Sequence, residues 1–387
     1  MIHSEILYEI IENPISGEWG KEGDGINVIR TANFTNEGYI DFTNVVKRNV
    51  DPAKITKKRL FNGDLIIEKS GGSPTQPVGR VVYFNQEGDF ICNNFTSVLR
   101  AKSDLVYPKY LHYILFANHK YGLTNKFQNK TTGIINLQLK RYIKETKIPL
   151  PSLEEQKKIA AILDAADDYR QKTKALIDKY DQLTQSLFLD MFGDPVTNPM
   201  GLPTIELGKA CEFYSGKAWK KQELGSKGVK LIRISNLHKP NFPYWLYEGN
   251  IIERYKVENG DLLFSWAGVQ ASIDVYLYKG DTGMLNQHIY NLKPKTGIEK
   301  LFLFQLLQLN LNALRSSLGG GVGQFHLKKK DITSIKVLMP QSSDMQLYLK
   351  KVDSLNKQKQ QAEASLVKAE ELFNSLLQKA FKGELTN

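Results

Sequence analysis

The residues best able to do chemistry in this chain are basic, and they come in groups. "GKAWKKQELGSKGVKLIR" sets Lys217, Lys220, Lys221, Lys227, Lys230 and Arg233 around Trp219. "NKFQNKTTGIINLQLKRYIK" sets Lys126, Lys130, Lys140, Arg141 and Lys144 around Thr131 and Thr132. "GGGVGQFHLKKK" places Gln324, His326 and Lys328, Lys329 and Lys330 behind a glycine run. Ammonium and guanidinium groups attract phosphate, while Gln, Asn, Thr, Arg and His match base edges in a major groove. Glycines let backbone approach a phosphate chain closely. One lysine taken alone reads as a solvated surface charge. The recurrence of such groups, and a formal net charge of +11, points to a polyanionic partner.

Other chemistries lack their residues. "GGGVGQ" has no following Lys-Ser or Lys-Thr for a P-loop, and Gln324 stands where G-x-G-x-x-G needs its third glycine. No Asn/Asp-Pro-Pro-Tyr/Phe sequence of an amino-methyltransferase occurs. "GDLIIEKS" sets Asp64 near Glu68 and Lys69, but the Glu-x-Lys spacing of a nuclease fails and "NGDLLFSW" has no matching Glu or Lys. It reads as a turn followed by a strand. The six histidines are scattered without metal-ligand spacing, so no metal site is expected. Cys92 and Cys211 are isolated thiols, which suits a reducing, cytoplasmic setting. No apolar run is long enough to span a membrane.

The elements that would position the basic groups occur twice. "LPSLEEQKKIAAILDAADDYRQKTKALIDKYDQLTQSLFLDMF" aligns without a gap on "MPQSSDMQLYLKKVDSLNKQKQQAEASLVKAEELFNSLLQKAF". Upstream, "VIRTANF" resembles "LIRISNL", "FNGDLII" resembles "ENGDLLF", and "IKETKIPLP" resembles "ITSIKVLMP". The chain of 387 residues therefore reads as 1–150, an α+β globular part; 151–193, a long helix; 194–340, a second α+β part; and 341–387, a second long helix. "GDLIIEKS", "GRVVYFN" and "FTSVLRAK" predict strands in the first part, as do "DLLFSWAG", "IDVYLYK" and "HIYNLKP" in the second. "YPKYLHYILFANHKYG" and "EKLFLFQLLQLNLNALRSSLG" predict helices. The sheets are not expected to be doubly wound.

The first long helix has Ser152 and Glu155 as a capping box, and Gly193 and Pro195 as its stop. The second has Ser342 as its expected cap, Met345 where the box wants an acid, and Gly383 as its end. About 40 residues make a rod of roughly 60 Å. Each helix carries an apolar stripe at alternating spacings of 4 and 3, as an antiparallel coiled coil between the two would need. Ile159, Leu163, Ala166, Ile177 and Leu187 face Val352, Leu355, Leu366, Phe373 and Leu376 in this reading. Arg170 and Lys359 interrupt the stripes, setting register or snorkelling over the seam. Ile162, Leu176, Leu183, Phe188, Leu349, Leu372 and Leu377 lie off them and call for another partner, either a further subunit or the chain's own globular parts.

"IPLPSLEEQKKIAAILD", the endings "SLFLDMFGD" and "SLLQKAFKGEL", and the paired "NGDLII" and "NGDLLF" give the chain a resemblance to the specificity (S) subunits of Type I restriction-modification systems, over essentially its whole length. The second helix departs from the family pattern at Met345, where the first has Gln156. The resemblance implies two tandem target recognition domains related by a pseudo-two-fold repeat, each reading half of a bipartite, asymmetric double-stranded DNA target. It implies that the helices act as a spacer and dock methyltransferase (M) subunits, two of them, with restriction (R) subunits joining. S-adenosylmethionine and ATP would belong to those partners, and this chain would have no catalysis of its own. Residues expected at DNA are Arg30, Asn33, Lys126, Lys130, Thr131, Thr132, Lys217, Lys220, Lys221, Arg233, Asn236, Gln324, His326 and Lys328. The alternatives are a DNA methyltransferase or nuclease with duplicated recognition domains, and a coiled-coil adaptor that binds protein only.

Overall fold

The computed structural model describes residues 3–131, 134–239, 241–317, 323 and 325–385. It divides into two units, one of Met1–Lys174 with Glu363–Asn387 and one of Ala175–Ala362. The divide falls inside both long helices, which run over Leu153–Phe192 and Ser342–Lys382.

Each unit is built to the same plan. In the first, a four-stranded antiparallel sheet has the order Ile15–Ser16, Thr96–Leu99, Leu65–Glu68, Val81–Tyr83. In the second, Cys211–Ser215, Ile289–Pro294, Leu262–Ser265 and Asp274–Leu277 repeat that order. A second sheet in each unit carries one parallel pair: Lys21–Ile29 with Phe90–Cys92, and Val229–Ile232 with Gly283–Leu285. Mixed, mainly antiparallel sheets are not the all-parallel arrangement of a doubly wound fold. An opening strand pairs with the strand just ahead of the long helix in both units, Ser4–Ile6 with Lys147–Pro149 and Thr204–Glu206 with Lys336–Leu338. The predicted helices are Pro108–Lys120 and Lys300–Ser317.

The units have separate cores. In the first, Leu65, Leu111, Ile114 and Tyr142 pack with Ile159, Leu163 and Ala166 of the first long helix and with Phe373, Leu377 and Ala380 of the second. In the second, Phe188 and Phe192 meet Phe302 and Tyr348 with ring centroids 5.1–6.1 Å apart. Burying such a side chain is worth about 1.5–3 kcal/mol. Within the first unit Lys174 lies 3.7 Å from Glu370, and Arg170 stacks 4.5 Å from the ring centroid of Phe373. Within the second, Lys359 donates to Asp181 at 2.6 and 2.7 Å while Phe188 meets Tyr348. In each unit the two helical segments thus run antiparallel.

The interruptions of the stripes are ion-paired. Arg170 is buried and donates to Asp167 at 2.5 Å, and Lys359 bonds Asp181 on the other helix. Ile159, Leu163, Ala166, Val352 and Phe373 are buried, and Ile177, Leu187, Leu355, Leu366 and Leu376 are half-buried. For Phe188 and Leu377 the further partner is the chain's own globular parts. Both are fully buried in their own unit's core, because each unit covers a wider helix face than the stripe. Ile162, Leu176, Leu183 and Leu372 are exposed.

The capping box forms: Ser152 N donates to Glu155 Oε2 at 3.0 Å and Glu155 N to Ser152 Oγ at 3.3 Å. Gly193 and Gly383 end the helices at φ +73°, the left-handed conformation that glycine adopts without steric cost. Ser342 is not the cap of the second helix. It is the first helical residue, and Gln341, whose carbonyl accepts from Asp344 N and Met345 N, stands where Ser152 does.

Gln156 explains its place in the motif. It is fully buried, accepts from Tyr107 N at 2.8 Å, and donates to Leu105 O at 3.2 Å and Pro151 O at 2.9 Å. Its amide ties the loop before Pro108–Lys120 to the start of the long helix. Met345 at the aligned position is buried among apolar side chains instead. Gln156→Met will leave a buried N–H and two carbonyls short of partners, costing about 1–3 kcal/mol by urea unfolding. An unchanged midpoint would refute that tie.

His112 is buried on the helix Pro108–Lys120, with Nε2 3.1 Å from Gly38 O. Burial, helped by nearby Lys109, pushes its pKa down to about 3. The folded state therefore holds it neutral, and its contribution is complete above the unfolded value near 6.5. Stability should erode as pH falls below that value, by about 1.4 kcal/mol per unit and roughly 2 kcal/mol at pH 5. Denaturant titrations at pH 7.5 and 5 on wild type and His112→Gln check this: the variant should lose much of the difference.

Candidate nucleic-acid interface

The Gly-Asp signature of each unit is a structural clasp. Asp64 is buried, accepts from Phe61 N at 2.7 Å, and takes Arg100 Nε and Nη2 at 2.7 and 2.8 Å. Asp261 accepts from Glu258 N at 3.0 Å and Asn291 Nδ2 at 2.8 Å, and pairs with Lys293. Burial opposes the charge of Asp261, but these donors hold its pKa below the ordinary carboxylate value. Glu68 is likewise engaged, in a two-point pair with Arg80 at 2.9 and 3.0 Å. Among the described residues, no group of three or more His, Cys, Asp or Glu could hold a metal ion.

A second repeated device follows the parallel strands. Arg30 N donates to Asn33 Oδ1 at 3.0 Å, and Arg233 N donates to Asn236 Oδ1 at 3.1 Å. Asn33 Nδ2 donates to Asp41 O at 3.0 Å and Asn236 Nδ2 to Phe242 O at 2.8 Å. Both asparagines are nearly inaccessible, at 2% and 4% exposure. Expected at DNA, they serve here as loop clamps, since their amides are spent on backbone. Arg30 and Arg233 are half-buried, and they donate to Asn44 O and Pro243 O at 2.9 and 2.6 Å. Arg233 also lies 4.2 Å from the centroid of Trp245.

The basic groups divide by their partners. Lys217 pairs with Glu223 and lies 4.6 Å from the ring centroid of Trp219. Trp219 is itself buried, with Nε1 donating to Leu285 O, and so is no exposed stacking platform. Lys230 pairs with Asp281 at 2.6 Å and Arg141 with Glu145 at 2.8 Å. Lys126, Lys220, Lys221 and Lys328 are exposed, as are Lys227, Lys329 and Lys330, and none makes an ion pair among the described residues. These surfaces suit phosphate. His326 is exposed on Phe325–His326, which pairs with Ala267–Gly268. Lys130 and Thr131 end the strand Gln128–Thr131, but their side chains, Thr132, Gln324 and the glycines at 319–321 lie outside the described residues.

What the sequence reading missed is a surface frame. In the first unit Lys69 N donates to Phe95 O at 2.9 Å, Leu137 N to Lys69 O at 2.8 Å, and Asn93 N to Ile29 O at 2.9 Å. In the second, Trp266 N donates to His288 O at 3.1 Å, Leu327 N to Trp266 O at 2.9 Å, and Asn286 N to Ile232 O at 3.0 Å. Gly17 and Gly216 complete each frame, donating to Thr96 O and Ile289 O. A Cβ there would come within 2.0 Å of Asn93 O and 2.1 Å of Asn286 O, so only glycine fits. No ungapped alignment shows it: matching "NGDLII" to "NGDLLF" carries "CNNF" onto "IYNL", whereas the hydrogen bonds pair it with "LNQH".

Comparison with known proteins agrees with the repeat. A model of the Type I restriction modification DNA specificity domain matches twice, over residues 21–179 and 201–366, together most of the chain. The chain is 25% identical over 398 residues to the Type I restriction enzyme EcoKI specificity subunit of Escherichia coli, covering 94% of this chain and 83% of that one. It is 24% identical over 354 residues to the Type I restriction enzyme MjaVIII specificity subunit of Methanocaldococcus jannaschii, covering 84% and 80%. In fold it is similar to the crystal structure of a Type I restriction-modification S subunit from M. genitalium. The TM-score is 0.55 at 17% identity, over 98% of this chain and 96% of that one.

Proposed function

The chain belongs to the Type I restriction-modification DNA specificity family, and from that premise we propose how its parts divide the work. It is the DNA specificity subunit of such a system, supplying recognition rather than catalysis and working with DNA and the system's other subunits. Each unit reads one half of a bipartite double-stranded target. The unlike side chains of the two units make the halves unlike. Exposed lysines such as Lys126, Lys220, Lys221 and Lys328 hold phosphates, which fix register without carrying sequence information. The paired long helices set the gap between half-sites and offer exposed apolar residues, Ile162, Leu176 and Leu183 among them, to two M subunits. R subunits join that assembly. S-adenosylmethionine and ATP bind those partners, and the complex works in the cytoplasm.

The observation that carries this reading is the double one: one sheet plan occurs twice, each copy followed by a long helix. No helix among the described residues is long and apolar enough to cross a membrane. The experiment is a methylation assay with S-adenosylmethionine on the chain alone and on the chain assembled with its M subunits. Only the assembly should transfer methyl groups. Turnover by the chain alone would favour a methyltransferase with duplicated recognition domains.

A further inference from the structure

The frame is repeated, but what it displays is not. Its equivalent positions are fixed by backbone hydrogen bonds, independently of side-chain likeness. In the first unit they carry Lys69, half-buried; Asn94 and Phe95, exposed; and Asn136, which accepts from Ser70 Oγ at 2.5 Å. In the second they carry Trp266, Gln287 and His288, half-buried, and His326, exposed. Strand register confirms the match, since Asn136 pairs with Ser70 and His326 with Ala267.

The second set is a compact group. The Trp266 ring lies 5.1 Å from His288 and 5.9 Å from His326, and the two imidazoles are 5.8 Å apart. Gln287 Nε2 lies 2.9 Å from His288 Nε2. Trp266 Nε1 and His288 Nδ1 meet no hydrogen-bond partner among the described residues. Both atoms are buried, so what the patch offers an external partner is exposed His326 and the half-buried side chains around it.

We infer that this patch is where each unit reads base edges. Trp266, Gln287, His288 and His326 read one half of the target; Lys69, Asn94, Phe95 and Asn136 read the other. The inference rests on the chain being a DNA specificity subunit. One frame with interchangeable contents is what two unlike half-sites require of a duplicated reader. A patch that served only packing would keep its side chains as it keeps its glycines, Gly17 and Gly216. Asn94 and Gln287 both offer the amide pattern that matches adenine, and Lys69 offers donors for guanine, whereas the histidines suit other edges.

The test uses the full chain assembled with its M subunits and the sequencing of all methylated sites. Gln287→Ala and His326→Ala should each relax at least one base position of a single half-site by about tenfold or more. Lys69→Ala and Asn136→Ala should relax the other half. Exposed His326 is a safe probe, and thermal unfolding of each variant verifies the fold. An unchanged motif, with methylation slowed equally at every site, would overturn the assignment, as would variants of one unit altering both halves. A wild-type assembly with no bipartite motif would instead remove the premise of a specificity subunit.

Discussion

Exchanging residues 1–150 for the matching segment of another family member rewrites one half of the methylated sequence and leaves the other half and the gap intact. The first unit has its own sheets and core, so its recognition surface travels with that segment. The exchange works only if the incoming segment packs on Ile159, Leu163, Ala166, Phe373, Leu377 and Ala380 and lets Gln156 reach its loop. The effect should be large. Each mismatched base pair costs about 1–3 kcal/mol, so a new half-site of several base pairs displaces the old one by orders of magnitude. Sequencing methylated DNA from cells carrying the exchanged chain reads this out. Change in both halves would contradict modular reading.

Arg100→Met should destabilise the first unit by about 3–5 kcal/mol, the cost of leaving a buried carboxylate without its cation. Asp64 is 2% exposed, and the guanidinium grips both its oxygens. The aligned pair in the second unit gives the control. Lys293 has a side chain 44% exposed, so water takes over part of its role, and Lys293→Met should cost clearly less. Asp64→Asn with Arg100→Met should recover stability relative to Arg100→Met alone, because the uncompensated charge is gone. Equal losses at the two sites would contradict the argument from burial. Urea unfolding of the three variants measures all of this.

The sequence shows the repeat, the helix boundaries and the strands clearly, because these follow from local chemistry. Prolines and a capping box open the first helix, and glycines end both. It misplaces Ser342, since serine suits a cap or a first turn and only the hydrogen bonds to Gln341 O separate the two. It places Asn33 and Asn236 at DNA, because an amide that clamps its own loop looks the same in sequence as one that meets a ligand. It leaves open whether Phe188 and Leu377 meet a further subunit or the chain's own globular parts, since a stripe counts one helix face while a globular unit wraps several. The frame around Lys69 and Trp266 is the least legible part. It joins segments far apart in the chain, 65–69 with 93–95 and 134–137 in the first unit, through strand register alone.

In the proposed function, two unlike readers stand on one duplicated architecture. Sequencing every methylated site in cells that carry this chain and its M subunits tests it directly. Two different specified blocks separated by an unspecified gap of fixed length are expected. A single continuous block, or two identical halves in a palindrome, would contradict it.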